Sequence, residues 1–144
     1  MIDKMIDKEI IKTKIKDIQN YLKELEPILQ LPNNEIASSY EKLRTTERDF
    51  QLIVDTILDI NSHIIAVNKL PISDDYQQTF TILAQHKILS PKLAEKIAPV
   101  AGMRNLIVHK YGEVDMERFF NALKNNLYQF DEYIKEIEKL LKKS

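Results

Sequence analysis

The sequence predicts an all-α protein, an antiparallel bundle of four to five main helices. Apolar residues recur every three or four positions over most of the chain, and no segment alternates apolar and polar residues as a strand does. Glycine and proline are scarce, with two and five occurrences in 144 residues. This length is typical of one domain with its own core, so we expect a single domain over residues 1–144.

Two long helical stripes are predicted in the first half of the chain. The first covers residues 2–29 and ends near Pro27 and Pro32, because proline cannot continue a helix interior. The second covers residues 36–67, and we expect it to form one long helix. Residues 69–75 then form a predicted loop.

Shorter helices are predicted between this loop and the last helix. The first carries apolar residues over 76–88. Ser90 and Pro91 then stand in the order of an N-cap and a first helical residue. Pro99 is expected to kink or divide that helix, since proline lacks the amide and clashes with the preceding turn. The next helix is predicted to stop at Gly112.

The last helix follows Asp115, a good capping residue, and has the most regular stripe in the chain. Its apolar positions alternate steps of four and three, the spacing of a seam in a bundle or coiled coil. The seam consists of Met116, Phe120, Leu123, Leu127, Phe130, Ile134, Ile137 and Leu141.

Composition excludes several classes of function. The absence of cysteine rules out a disulfide scaffold, a thiol nucleophile and a thiolate-bound metal. A net charge of -1 argues against nucleic-acid binding by bulk charge, although a local basic site stays possible. The longest uninterrupted apolar run is the four residues 64–67, so we expect no membrane-spanning helix and a cytoplasmic location.

The histidines do not indicate a metal site. For His63 and His86 we expect a packed or solvated imidazole. No two of the three histidines are spaced as metal ligands, and no zinc, calcium or nucleotide-phosphate motif occurs. We therefore expect neither a metal nor a cofactor.

The segment RNLIVHKY, residues 104–111, places four chemically active side chains on one helical face. At about 100° per residue, Arg104, Asn105, His109 and Tyr111 share one arc. Asn105 and His109 are four residues apart, so that one can orient the other. Residues on the opposite arc are apolar, as a core-facing stripe requires.

The same region is basic. Residues 86–111 have a net charge of +4, which leaves -5 on the rest of the chain. A phosphate-bearing partner would be drawn to this region, and Lys96 and Lys110 are its candidate RNA-binding residues.

Arginine and histidine without a metal suit the cleavage of RNA. The 2′-hydroxyl supplies the nucleophile, an imidazole transfers protons, and a guanidinium stabilises the phosphate charge. Because one chain offers one such histidine, a two-fold dimer would bring two His109 and two Arg104 side chains around one groove. A structural role is the alternative, in which Arg104 pairs with a carboxylate and His109 caps the helix end.

The motif Arg104-x4-His109-x-Tyr111 resembles that of the HepT-like ribonuclease toxins, a branch of the HEPN superfamily. The resemblance extends over ERDFQLIVDTILDINSHIIA, LAEKIAPVAGMRNLIVHKYGEVD and the last amphipathic helix. It implies a HEPN-like, dimeric fold and a metal-independent endoribonuclease that acts as the toxin of a toxin–antitoxin pair.

The resemblance also implies a role for each motif residue. Arg104 and His109 would be the catalytic pair, and Asn105 occupies the polar position beside them. Tyr111 matches the tyrosine that the partner, an MntA-type minimal nucleotidyltransferase antitoxin, adenylylates to silence the toxin. The resemblance further implies a homodimer as the partner arrangement, and it leaves open whether that dimer assembles further with the antitoxin.

Two other functions remain open on the sequence alone. The protein could be a non-catalytic helical subunit of a nucleotidyltransferase, with Arg104 on a nucleotide phosphate. It could also be an interaction adaptor that uses the seam of its last helix.

Overall fold

The computed structural model describes residues 6–109 and 115–143, with positions 106, 108 and 109 described by their backbone alone. These residues form eight α-helices and no strand, which confirms the predicted all-α class. The helices are α1 (Lys8–Leu29), α2 (Asn33–Ser38), α3 (Tyr40–Val67), α4 (Tyr76–Gln85), α5 (Pro91–Ile97), α6 (Val100–His109), α7 (Met116–Asn126) and α8 (Tyr128–Lys143).

The predicted helix over 36–67 is wrong in one respect, because the structure divides it at Ser39. Ser39 has an extended backbone, with φ -104° and ψ 110°, and therefore interrupts the helical hydrogen bonds between α2 and α3. Its side-chain oxygen accepts a hydrogen bond from the amide of Lys42 at 3.3 Å and so caps α3.

The proline and cap predictions are confirmed at most of the other boundaries. Pro99 separates α5 from α6, and the Ser90 hydroxyl accepts a hydrogen bond from the amide of Leu93. The helix predicted over 76–88 ends earlier, at Gln85, because Lys87 adopts a positive φ of 62° and turns the chain. The stop predicted at Gly112 lies outside the described residues.

The seam of the last helix is confirmed as core. The structure divides this helix into α7 and α8 only at Leu127, which itself keeps helical backbone angles. Phe120, Phe130 and Ile137 are almost completely buried, and the other seam residues are buried or half-buried. Since the seam packs inside its own chain, it offers no surface for an adaptor function.

The two long helices run antiparallel. At the start of α1 the amide of Asp7 donates a hydrogen bond to His63 Nε2, near the end of α3, at 3.2 Å. Further along, Lys14 pairs with Asp59 at 3.6 Å. His63 is thus half-buried and packed, and His86 is exposed at the C-cap of α4, as predicted for both.

Helix α3 lies at the centre of the fold. By length and composition it is apolar enough to cross a membrane, although half of that stretch is buried inside the protein. The expectation based on uninterrupted apolar runs overlooked it, because single polar residues divide its apolar positions. Burial of this kind is what a central helix of a bundle shows.

Candidate active site

Helix α6 presents a polar face to the surface, as the sequence predicts for the described positions. Val100, Ala101 and Ile107 are buried against the core, and the Met103 side chain is half-buried. Arg104 and Asn105 lie on the other side, where Arg104 is half-buried and Asn105 is exposed. The break at Pro99 starts this helix independently of α5, and its buried positions therefore fix the direction of the polar face.

Two neighbours hold the Arg104 guanidinium. Its Nε donates to Asp55 Oδ1, on α3, at 2.6 Å, and Nη1 donates to Asn105 Oδ1 at 3.1 Å. A guanidinium carries five N–H donors, so within the described part of the chain these two bonds leave three donors for a ligand. The Arg104 side chain is 24% exposed, so part of it reaches the surface.

The alternative hypothesis, that Arg104 has a structural role, is thus partly correct. A carboxylate does pair with this arginine, as the alternative proposes, but at the Nε edge of the guanidinium. The terminal Nη2 stays unengaged by either bond. The contact therefore leaves phosphate binding open.

The rest of the motif is described only by its backbone or not at all. Because α6 extends to His109, Asn105 and His109 are four residues apart on one continuous helix and share its face. The side chain of His109, together with Lys110 and Tyr111, lies outside the described residues. Their predicted convergence on Arg104 stays a prediction.

Lys96 is exposed on α5, and its side chain contacts a different helix from the one that Arg104 contacts. Its Nζ lies 5.9 Å from the centre of the Tyr128 ring, at the start of α8, in a cation–π contact. Arg104 instead contacts α3, so the structure joins Lys96 to neither Arg104 nor Asn105.

Folding changes the charge balance that the sequence indicates. The count over 86–111 is basic, but Asp55 adds a negative charge beside Arg104 from a position 49 residues away. Asp59 follows one turn later on α3. The sequence analysis did not identify Asp55 as a partner of Arg104. The only local sign of an acidic face is that Asp55 and Asp59 are four residues apart on the same helix.

A second acidic residue on α3, Asp49, is unusual because its carboxyl group is buried, but it lies on a different face of α3 from Asp55. Asp49 is 3% exposed, and burial together with the neighbouring Glu24 carboxyl raises its pKa to about 7. Glu24 belongs to α1, so Asp49 faces that helix and not α6. Among residues 6–109 and 115–143, no group of three or more His, Asp or Glu side chains could hold a metal ion.

The helical bundle belongs to a known fold class. The chain superposes on the tri-AMPylated HEPN toxin of Shewanella oneidensis, solved in complex with an MNT antitoxin, with a TM-score of 0.83. The match covers 94% of this chain and 99% of that chain at 24% sequence identity. The predicted HEPN-like fold is confirmed.

Sequence comparison narrows this class to one family. A family model described as ribonuclease HepT-like matches residues 5–137. The tRNA nuclease HepT of Aphanizomenon flos-aquae is 35% identical over 136 residues, 94% of this chain and 92% of that protein. The mRNA nuclease HepT of Shewanella oneidensis is 23% identical over 130 residues, 90% of this chain and 97% of that protein. The chain belongs to the ribonuclease HepT-like family.

Proposed function

We propose that this protein is a cytoplasmic, metal-independent endoribonuclease, the toxin of a toxin–antitoxin pair. The observation that carries the proposal is the Arg104 guanidinium, which hydrogen bonds to Asp55 on α3 and Asn105 on α6 and keeps three donors that these bonds do not use. RNA as the substrate is supported by the two relatives, which are named as a tRNA nuclease and an mRNA nuclease.

Cleavage requires only proton transfer and charge stabilisation. A neutral His109 imidazole accepts the proton of the 2′-hydroxyl, whose oxygen attacks the adjacent phosphorus. The bond to the 5′-oxygen breaks, and this oxygen takes a proton from an imidazolium. The products are a 2′,3′-cyclic phosphate and a 5′-hydroxyl end. Arg104 binds the phosphate oxygens as negative charge accumulates on them. Asn105 orients the side chains of Arg104 and His109.

A homodimer completes this scheme. The motif has one histidine, whereas the reaction uses a base and an acid. A two-fold axis beside α6 would place two copies of Arg104 and His109 around one RNA strand. Lys110, adjacent to His109 in the sequence, would contact the RNA backbone there, and Lys96 would contact it further along.

A nucleotidyltransferase antitoxin would silence this site through Tyr111. The Shewanella oneidensis structure contains an AMPylated HEPN toxin with an MNT antitoxin. Tyr111 follows His109 by two positions, so AMP on its hydroxyl would place a phosphate close to the motif. That phosphate would compete with RNA for the free donors of Arg104, and its bulk would obstruct the groove.

Growth arrest tests the assignment in cells. We expect expression of the wild type without an antitoxin to stop growth, and His109→Ala to be harmless at the same protein level because no group remains to transfer the proton. His86→Ala is the matched control, since His86 is exposed at the end of α4 and should leave toxicity intact. A toxic His109→Ala protein would remove His109 from the mechanism.

A further inference from the structure

Asp55 is the one side chain from another helix that the structure places against Arg104 within the described residues. Its Oδ1 accepts the hydrogen bond from Nε at 2.6 Å, and the two partners carry opposite charges, so the bond is charge-assisted. The Asp55 side chain is 34% exposed, so the pair lies at the edge of the surface. Because water still partly screens a half-buried pair of this kind, its contribution to folding stability is modest.

The position of the Asp55 contact on the guanidinium indicates that it orients the Arg104 side chain. Asp55 occupies the Nε edge and Asn105 occupies one Nη1 proton. Two acceptors from different directions fix the plane of the guanidinium, because the group is rigid and its donors lie in that plane. The directions of the remaining Nη1 and Nη2 donors are then fixed as well. An unrestrained arginine would have to lose its rotamer freedom during the reaction instead.

We infer that Asp55 is a positioning residue for RNA cleavage and acts by holding Arg104 in the orientation that binds the reacting phosphate. This inference rests on the proposed function. The opposite role would be a latch, in which Asp55 occupies the arginine until RNA displaces it. The geometry favours positioning, because neither hydrogen bond uses Nη2, so this nitrogen keeps both donors for a phosphate while Asp55 stays on Nε.

Cleavage kinetics distinguish these roles. For Asp55→Ala we expect kcat to fall on the order of 10-fold to 100-fold, the usual effect of removing a group that orients a catalytic one. KM for a model RNA should change little, since the group lost acts in the transition state. Asp55→Asn keeps an oxygen that can accept from Nε and should recover part of the loss. A latch predicts faster cleavage by Asp55→Ala; that result, or an unchanged kcat, would overturn the inference.

Asp59→Ala is the matched control. Asp59 lies one turn from Asp55 on the same helix, has a 66% exposed side chain and pairs with Lys14 at 3.6 Å. The variant removes the same charge without touching Arg104, so kcat should equal that of the wild type. The urea midpoints of Asp55→Ala, Asp55→Asn and Asp59→Ala should equal that of the wild type. If Asp55→Ala instead loses stability in proportion to its activity, Asp55 has a merely structural role.

A spectroscopic measurement tests the positioning independently of catalysis. The Nε–H signal of Arg104, identified in a nitrogen-15 NMR spectrum by its loss in Arg104→Lys, should be protected from solvent exchange in the wild type. It should exchange rapidly in Asp55→Ala and stay protected in Asp59→Ala. If the wild type cleaves no RNA but the signal is protected as described, the proposed function fails while the Arg104 orientation stands. An unprotected signal in the wild type refutes the positioning itself.

Discussion

The buried carboxyl group of Asp49 makes the stability of the bundle depend on pH. Asp49 is 3% exposed, and its Oδ2 atom is buried with no hydrogen-bond partner in the described structure. Burial first, and then the Glu24 carboxyl, raise the pKa of Asp49 from 3.8 to about 7. The folded protein therefore keeps a proton on Asp49 under conditions in which the unfolded chain releases it.

The sign and size of the effect follow from this pKa difference. Because the folded state binds the extra proton, the free energy of unfolding falls as the pH rises from about 4 to about 7 and levels off above that. One pKa unit corresponds to about 1.36 kcal/mol, so the full difference sets an upper limit of roughly 4 kcal/mol. Of this, up to roughly 3 kcal/mol would be lost between about pH 5 and about pH 8.

The substitution Asp49→Asn isolates the effect, since an amide cannot ionise. We expect the variant to gain stability relative to the wild type as the pH rises, by at least about 1 kcal/mol between about pH 5 and about pH 8. Urea unfolding followed by circular dichroism measures both proteins. Their difference cancels every contribution to the pH dependence that the two proteins share.

Asp59→Asn is the control, because Asp59 is exposed on the same helix. Its unfolding free energy should follow the wild-type pH dependence. The reasoning is refuted if Asp49→Asn differs from the wild type by the same amount at low and high pH.

Two further predictions concern single tyrosines. Tyr133→Phe should lower the free energy of unfolding by about 1–3 kcal/mol, because it leaves the buried Asn61 Oδ1 without the hydrogen bond that Tyr133 donates at 2.6 Å; a urea titration measures this, and a loss near zero would contradict it. Co-expression with an MntA-type nucleotidyltransferase should add one or more AMP units to the wild type, visible as a mass gain in the intact protein. Tyr111→Phe should show none, and a gain that persists would assign the modification to another residue.

Helices and helix boundaries could be predicted from the sequence where they depend on residues close together in the chain. The seam of the last helix could be read directly, because the spacing of apolar residues is itself what buries a helix face. Ser90, Pro91 and Pro99 marked their boundaries by backbone chemistry that does not depend on the fold. The break at Ser39 was missed because Ile36, Tyr40 and Leu43 continue the helical spacing across it, although serine is a capping residue.

Contacts between distant segments could not be predicted in this way. The charge count around Arg104 was made along the chain, whereas Asp55 reaches it only because α3 packs beside α6. Asp49 likewise belongs to the charged run ERD, which is typical of a solvated face. Only the packing of α1 against α3 buries that carboxyl, whereas Glu47 is half-buried and Arg48 is exposed.

RNA cleavage by the purified protein tests the central claim most directly. Wild-type, His109→Ala and His86→Ala proteins would be incubated with end-labelled RNA in excess EDTA, after mass spectrometry has shown that Tyr111 is unmodified. We predict that the wild type and His86→Ala cleave the RNA and leave 2′,3′-cyclic phosphate ends, whereas His109→Ala does not. No cleavage by the folded wild type, or equal cleavage by His109→Ala, would contradict the account.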